Sequence, residues 1–220
     1  MEHNRKNKLL MIIAFVMGIA SLSVGFAAFS TTLNISSSAS VSPDSDTFSI
    51  KFSSSANSLL TGAVKPISTS SDLQDVVYGV IDNSGNPTLK NMSVTFTRPG
   101  QHLQYIVYVR NEGEYNAYLN GVYYLGDKVC VPDEETSASL VQKACDSIKV
   151  TVTIDGREYK ETTALTGQVL NVNKSKTVFI NLVYEAGGAY SDGPFSVTFP
   201  NISLVYSSID DSSVKPSVVD

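Results

Sequence analysis

The sequence is poor in the residues that build catalytic and metal sites. Among 220 residues it has two histidines, two cysteines and no tryptophan, and only 17% of its residues are charged. So few imidazole and thiol groups leave little material for a transition-metal site. The excess of acidic residues gives a net charge of −5, which argues against a nucleic-acid partner because a row of phosphates could not be neutralised.

What the chain does contain is typical of β-strands with polar outer faces, because Ser, Thr, Val and Tyr are abundant. Its length suits one sizeable sandwich or barrel domain. About ten alternating segments are separated by turn signals at intervals of roughly 8–12 residues. We therefore predict an all-β fold, a jelly-roll-like antiparallel β-sandwich of about ten strands. The one helix expected is short, around Thr136–Ala144.

The N-terminus has the pattern of a secretory signal peptide. Three basic residues precede the apolar stretch Leu9–Ala20, and small residues follow. A signal peptidase has narrow pockets that accept small side chains at positions −3 and −1. Gly25 and Ala27 fit these two positions if the cut falls before Ala28. The alternative is a retained membrane anchor, because Leu9–Phe29 as a helix, at about 1.5 Å per residue, would just span a bilayer.

Alternating apolar and polar residues predict most of the strands. Phe29, Thr31, Leu33 and Ile35 share one face of an extended N-terminal segment. The strands expected after it are Thr47–Phe52, Val76–Ile81, Met92–Thr97, Leu103–Val109 (central), Tyr115–Leu125, Ile148–Ile154, Arg157–Lys160, Val169–Val172, Thr177–Tyr184, Phe195–Phe199 and Ile202–Tyr206. The dipeptide Asp155-Gly156 predicts a two-residue hairpin loop.

These patterns divide the chain into four parts. Residues 1–28 are the signal peptide, and residues 29–45 form an N-terminal strand and hinge. Residues 46–207 form the sandwich, in which the Ser-rich stretch 53–72 is a long loop. The tail 208–220 is expected to be disordered.

Several motifs give the chain a resemblance to a known family. They are the leader junction Ser23–Ser30, the strand Thr47–Phe52, the run Arg98-Pro99-Gly100-Gln101 before Leu103–Val109, the run Arg110-Asn111-Glu112-Gly113 before Tyr115–Leu119, and the strands within Lys174–Tyr206. This order resembles the TasA/camelysin group of secreted Gram-positive biofilm-matrix proteins. The resemblance implies a fibre-forming role and cleavage by a dedicated signal peptidase that leaves Phe29 as the N-terminus. The chain departs from the group at Gln101, where an acidic residue is usual, and at Lys128–Asp146, which looks like an insertion.

The freed N-terminal segment suggests how such a fibre would assemble. Residues 29–36 either form the first strand of their own sandwich or add to the sheet of a neighbour as a donor strand through Phe29, Thr31, Leu33 and Ile35. The partners are then a second copy of the chain, joined head to tail, and the signal peptidase, with an accessory matrix protein left open.

A second function class is a monomeric or membrane-anchored cell-surface module that binds a glycan or a protein. Tyr115, Tyr118, Tyr123 and Tyr124 could stack on sugars, although sheet packing explains them more simply.

Cys130 and Cys145 are predicted to form a disulfide, because both lie in one short segment of an exported chain. Closing that loop would contribute about 3 kcal/mol. Catalysis is not expected: no nucleophile, zinc or phosphate-binding motif occurs. His102 is expected to be a solvated turn residue, and the acidic clusters around Asp44, Asp133 and Asp210 to be solvated turns. We therefore predict no enzyme activity, cofactor or metal.

Overall fold

The computed structural model describes residues 47–68, 70, 72–159 and 168–209. By its backbone contacts the chain divides into two units, Met1–Ser42 and Pro43–Asp220, and every described residue belongs to the second. The predicted signal peptide, the predicted donor strand and residues 210–220 of the predicted tail lie outside the described residues.

Sixteen strands and one helix are described, in agreement with an all-β fold. The strands are β1 (Ile50–Ser53), β2 (Ala63–Val64), β3 (Ile67–Ser68), β4 (Gln74–Val77), β5 (Gly79–Asp82), β6 (Thr88–Lys90), β7 (Ser93–Phe96), β8 (His102–Asn111), β9 (Ala117–Leu125), β10 (Val129–Pro132), β11 (Ile148–Ile154), β12 (Arg157–Tyr159), β13 (Val169–Leu170), β14 (Ser175–Tyr184), β15 (Phe195–Thr198) and β16 (Asn201–Ser207). The helix α1 spans Ala138–Asp146, two residues later than predicted.

The strands form three antiparallel sheets. Sheet A has the order β1-β8-β14-β11-β12, with β3 also paired to β8. Sheet B has the order β13-β9-β16-β6-β5-β2, and sheet C has the order β10-β15-β7-β4. The prediction that Leu103–Val109 lies in a central strand is confirmed, because β8 pairs with β1 and β3 on one side and with β14 on the other.

Sheets B and C run in the same strand order because they are two parts of one bent layer. The strand β9 continues into β10, β6 into β7, β15 into β16 and β4 into β5, each through a link of one to three residues. At two of these links the backbone turns left-handed, at Asn91 (φ 61°) and Gly126 (φ 85°). Each break interrupts the hydrogen-bond ladder without ending the layer, so the sixteen described strands correspond to twelve runs.

One apolar core joins all three sheets. Its buried residues include Val107 and Ile180 of sheet A, Leu204 of sheet B and Val197 of sheet C. At one end Phe96 packs against three other rings, those of Tyr184, Phe195 and Phe199, at centroid distances of 5.7–6.4 Å. Two of these pairs are edge-on, the arrangement that aromatic rings prefer. The fold is therefore sandwich-like, with sheet A on one side of the core and sheets B and C on the other.

The hairpin at Asp155-Gly156 is confirmed. The strands β11 and β12 pair through Ile154 and Arg157, and both loop residues have positive φ, 48° and 78°. These angles are those of the two-residue turn whose twist matches that of paired strands.

Two predictions about strands were wrong. The expected strand Val76–Ile81 is divided at Tyr78 between β4 of sheet C and β5 of sheet B. The expected loop 53–72 contains β2 and β3, which are two residues each and too short to produce a visible alternation. The strands β6 and β10 were not predicted, because each is a short continuation of a neighbouring run.

Candidate functional site

The start of the described domain is fixed to the turn that follows β8. The main-chain oxygens of Thr47 and Ser49 accept hydrogen bonds from the amides of Glu114 and Glu112, both at 2.8 Å. Gly113 between them makes room for this approach, because a Cβ there would lie 2.7 Å from Ser49 N and from Thr47 O. Thr47 and Ser49, at the start of the described residues, are therefore held against this turn.

Asn111 of the Asn-x-Gly motif organises the same end of the domain. Its side chain is 1% exposed, and its Nδ2 donates to Tyr115 O at 2.7 Å and to Leu170 O at 2.9 Å. Its Oδ1 accepts a hydrogen bond from Gly113 N at 3.0 Å. One buried amide thus ties the turn after β8 to β13, a role that needs both donor and acceptor atoms.

Gln101 has an equivalent role at the other end of β8. Its buried Oε1 accepts hydrogen bonds from Thr97 N at 2.7 Å and Arg98 N at 3.1 Å. Its Nε2 donates to Thr97 Oγ1 at 3.0 Å and to Asp72 O at 3.3 Å. A carboxylate could accept the first pair of bonds but could not donate the second, which explains a glutamine at this position.

A salt bridge borders this turn. Arg98 Nε donates to Asp72 Oδ2 at 2.8 Å, and this bond, with the contact from Gln101, holds the pKa of Asp72 below its usual value. Both side chains are more than a third exposed, so the pair adds little to stability at neutral pH.

The segment between β9 and β11, predicted to be an insertion, folds as a strap across one edge of the sandwich. Cys130 of β10 and Cys145 of α1 form the predicted disulfide, with their Cα atoms 6.1 Å apart. The helix buries Val141, Ala144 and Cys145. Its ends are held by hydrogen bonds from Ser137 N to Asp192 Oδ1 at 2.9 Å and from Ala189 N to Ser147 Oγ at 3.0 Å.

Lys128 is the polar anchor of this strap. Its Nζ donates to Cys145 O and to Ile148 O, each at 2.6 Å. The ammonium therefore satisfies a carbonyl at the C-terminal end of α1, where a positive charge is favoured, and another at the start of β11. Burial lowers the pKa of Lys128 below its ordinary value, and the nearby carboxylate of Asp146 opposes this shift.

The tyrosines considered for stacking on sugars do not form one surface. In the first half of β9 Ala117 and Leu119 point into the core. Asn120 is an extra residue, because Val205 pairs with Gly121 and the next residue, Tyr206, pairs with Leu119. This bulge reverses the alternation, so Val122 and Tyr124 point inward and the Tyr124 hydroxyl donates to Tyr159 O at 3.1 Å.

The ring of Tyr123, which faces outward, packs against the sheet itself. A Cβ on Gly121 would lie 2.3 Å from its ring, so the ring covers that glycine. The alternative interpretation of the tyrosines as sheet packing therefore applies to Tyr123 and Tyr124.

The edge strands of the described sheets differ in how far they are protected. The edge of β1 is covered by Asn83, whose side chain accepts from Phe52 N at 2.8 Å and donates to Phe52 O at 2.9 Å. The edge strand β4 has a register shift and a left-handed residue, Asp75 (φ 46°), which disrupt a flat edge. The edge strand β10 presents Val129 and Val131, which are 50% and 53% exposed.

The remaining predicted site residues are placed as follows. The cleavage residues Gly25, Ala27, Ala28 and Phe29 and the donor-strand residues Phe29, Thr31, Leu33 and Ile35 lie outside the described residues. His102 is the first residue of β8, at the start of a strand beside Gly100 as the sequence indicated. Within the described ranges no group of three or more His, Cys, Asp or Glu residues could hold a metal ion, and no helix is long and apolar enough to cross a membrane.

No protein-family model matches the chain, and comparison with curated proteins and with solved structures finds no match. The family resemblance of the motifs therefore stays an interpretation of the sequence.

Proposed function

We propose that this chain is a secreted structural subunit of an extracellular matrix fibre, which assembles when the N-terminal strand of one copy adds to a sheet of the next. One observation carries the proposal. The described strands between Ile50 and Ser207 form three sheets around one core, and the backbone contacts assign residues 29–36 to a separate unit, Met1–Ser42. An apolar-striped strand outside the unit that contains the sheets would be available to a neighbour.

The division of the chain between Ser42 and Pro43 supports this arrangement. It falls next to the Ser-rich stretch Ser36–Ser42, a composition typical of flexible linkers. The bond between Thr47 and Glu114 would hold the exit point of the segment in place. Extended at about 3.3 Å per residue, residues 29–36 would reach roughly 26 Å, enough to run along a neighbouring sheet.

We place the acceptor at β10. Among the edges of the described sheets, β1 is covered by Asn83, β4 is bulged, β2, β3 and β13 have two residues each, and β12 has three. The edge of β10 has four residues, and its half-exposed valines alternate as Leu33 and Ile35 do. Pairing there would cover exposed β-branched side chains at a sheet edge, the usual site of strand addition.

The energies are sufficient for a polymer. Burial of Phe29, Leu33 and Ile35 would contribute about 1.5–3 kcal/mol each, before the cost of ordering the segment. Because the donor and acceptor surfaces differ, each added copy presents a new acceptor, and such contacts generate filaments rather than closed dimers.

The proposal includes export and a jelly-roll arrangement. In sheet A β8 pairs with β14, and in sheet B β9 pairs with β16. The chain passes from one layer to the other between β8 and β9 and again between β14 and β15, which is typical of a jelly roll. The disulfide Cys130–Cys145 is expected in an oxidising, extracellular environment. Together with the basic and apolar leader, these features favour an extracellular location, and the resemblance of the motifs to the TasA/camelysin group implies the surface or matrix of a Gram-positive-type bacterium.

A charge on the acceptor edge tests this proposal. Val131→Lys places an ammonium on β10 and should prevent the mature protein from forming fibres, as followed by light scattering and negative-stain microscopy. Val77→Lys is the matched control, because Val77 is 42% exposed on β4, the opposite edge strand of the same sheet. Fibres from Val131→Lys at the wild-type rate would contradict the assignment of β10 as acceptor.

A further inference from the structure

The outer face of sheet A combines aromatic, amide and hydroxyl groups at its centre. Along β8 the residues Leu103, Tyr105, Val107 and Val109 are buried, so the alternate positions face outward. The register places Ile106 opposite Phe179 and Gln104 opposite Asn181, and the next strand adds Thr151 opposite Asn181. All five of these outward side chains are half-buried in the sheet surface.

The amides on this face are held in a fixed row. Gln104 Nε2 donates to Asn181 Oδ1 at 2.6 Å, and Asn181 Nδ2 donates to Thr151 Oγ1 at 3.4 Å. Each amide nitrogen has a second hydrogen, and Gln104 Oε1 accepts no hydrogen bond from the described residues. A planar row of donors and acceptors is therefore oriented in advance for a ligand with many hydroxyl groups.

A structured loop borders the face on one side. The Ser53 hydroxyl accepts hydrogen bonds from Ser55 N and Leu60 N, both at 3.0 Å, and donates to Ser58 O at 2.6 Å. Ser53 lies opposite Tyr108, so the loop stands beside that aromatic ring. Arg110 Nη1 donates to Ala56 O at 2.7 Å and fixes the loop to the sheet. The face is therefore a shelf with one wall rather than an open plane.

The centre of this shelf carries no charge. The outward positions are uncharged from Gln104 to Tyr108 in β8, from Thr177 to Asn181 in β14 and from Thr151 to Thr153 in β11. Arg110, Lys149 and Glu158 lie at the rim, where Glu158 is paired opposite Thr153. A charged polymer would find no counter-charge at the centre, whereas the hydroxyls of a neutral ligand could exchange their hydrogen bonds to water for hydrogen bonds to the amides.

We infer that this face binds a neutral polysaccharide. The rings of Tyr108 and Phe179 offer apolar surfaces for the C–H faces of sugar rings, and Gln104 and Asn181 offer hydrogen bonds to their hydroxyls. Sheet faces and loops of jelly rolls serve as sugar-binding surfaces in lectins. This binding is independent of fibre assembly, because it uses neither residues 29–36 nor β10.

Calorimetric titration of the mature protein with cellohexaose, laminarihexaose and maltohexaose tests the inference. At least one of the three neutral glucans should bind, and Phe179→Ala and Gln104→Ala should each weaken binding about tenfold. Tyr115→Ala is the matched aromatic control, because Tyr115 is 54% exposed in a turn and only its main-chain oxygen is used by Asn111. Its affinity should equal that of the wild type.

Several results would overturn the inference. One is the absence of heat with all three glucans, and another is unchanged affinity in a Phe179→Ala variant with a wild-type unfolding midpoint. A third is a concentration-dependent increase in mass that Phe179→Ala abolishes, because the face would then be a contact between copies. Binding that persists after deletion of residues 29–36 would show that the sugar site stands whether or not the fibre proposal does.

Discussion

The main-chain oxygen of Thr47 accepts a hydrogen bond from the amide of Glu114 at 2.8 Å. This bond joins the first described residue to the turn at the end of β8, close to the buried amide of Asn111. If residues 29–36 act as a donor strand, the link between subunits depends on the chain being held firmly where the domain begins, at Thr47. The stability of this turn is therefore the first property to test.

Gly113→Ala should destabilise the domain by about 1–3 kcal/mol. The new Cβ would meet main-chain atoms of Thr47 and Ser49, which cannot move aside as a flexible side chain can. Urea unfolding of both proteins measures the change. Gly85→Ala is the control, since a Cβ at Gly85 meets nothing within 4 Å, and it should leave the midpoint nearly unchanged. Equal midpoints for Gly113→Ala and wild type would mean that the chain does not approach this turn closely.

Asn111→Asp should cost about 2–4 kcal/mol at neutral pH, because a buried carboxylate cannot donate to Tyr115 O or Leu170 O. Protonation restores one donor, so the deficit should shrink as the pH falls toward about 4. Asn116→Asp is the control, because Asn116 Oδ1 only accepts, from Val172 N, and an aspartate keeps that bond. A deficit that does not change with pH would exclude a lost donor as its cause.

Removal of the disulfide should lower stability by about 3 kcal/mol, the value expected for closing a loop of this length. The measurement is guanidinium unfolding of the oxidised protein and of the Cys130→Ser/Cys145→Ser variant, each with and without reductant. Reductant should affect only the wild type. A free thiol in the native wild-type protein would contradict the bond between the two cysteines.

Asp72 should make a small contribution to the acid sensitivity of the fold, because its pair with Arg98 is more than a third exposed. Its pKa is held below the usual value mainly by the hydrogen bond from Arg98, so its stabilising effect is complete above about pH 4 and is lost as the pH falls through the lowered pKa. Asp72→Asn should therefore lose less stability than wild type between about pH 5 and pH 2. Arg98→Gln should flatten the curve in the same way, and a wild-type curve from either variant would exclude this salt bridge as the source.

Local patterns predicted the elements that depend on local chemistry. The alternation in Ile148–Ile154 and the Asp155-Gly156 loop predicted a hairpin whose register the structure confirms. Cys130 and Cys145 were predicted to pair because both lie in one short segment of an exported chain, and the structure shows this bond.

The features that could not be predicted from the sequence depend on contacts between residues that are far apart in the chain. The bulge at Asn120 reverses the alternation of β9, and it is visible only through the pairing with Val205 and Tyr206. The roles of Gln101 and Asn111 depend on Asp72 and Leu170, which are far away in the sequence. The outer face of sheet A could not be predicted for the same reason, since it requires the register of β8 against β14.

The proposal that residues 29–36 link one subunit to the next is tested most directly by fibre formation with altered donor segments. Negative-stain microscopy of the mature protein should show fibres that lengthen with concentration, and the variant lacking residues 29–36 should be a folded monomer. Leu33→Asp/Ile35→Asp should also stay monomeric, because each buried, unpaired carboxylate costs several kcal/mol. The control Asn34→Asp/Ser36→Asp changes the polar positions of the same segment and should form fibres. A deletion variant that fails to fold, with a mature protein that stays monomeric at high concentration, would contradict the account and assign the strand to its own domain.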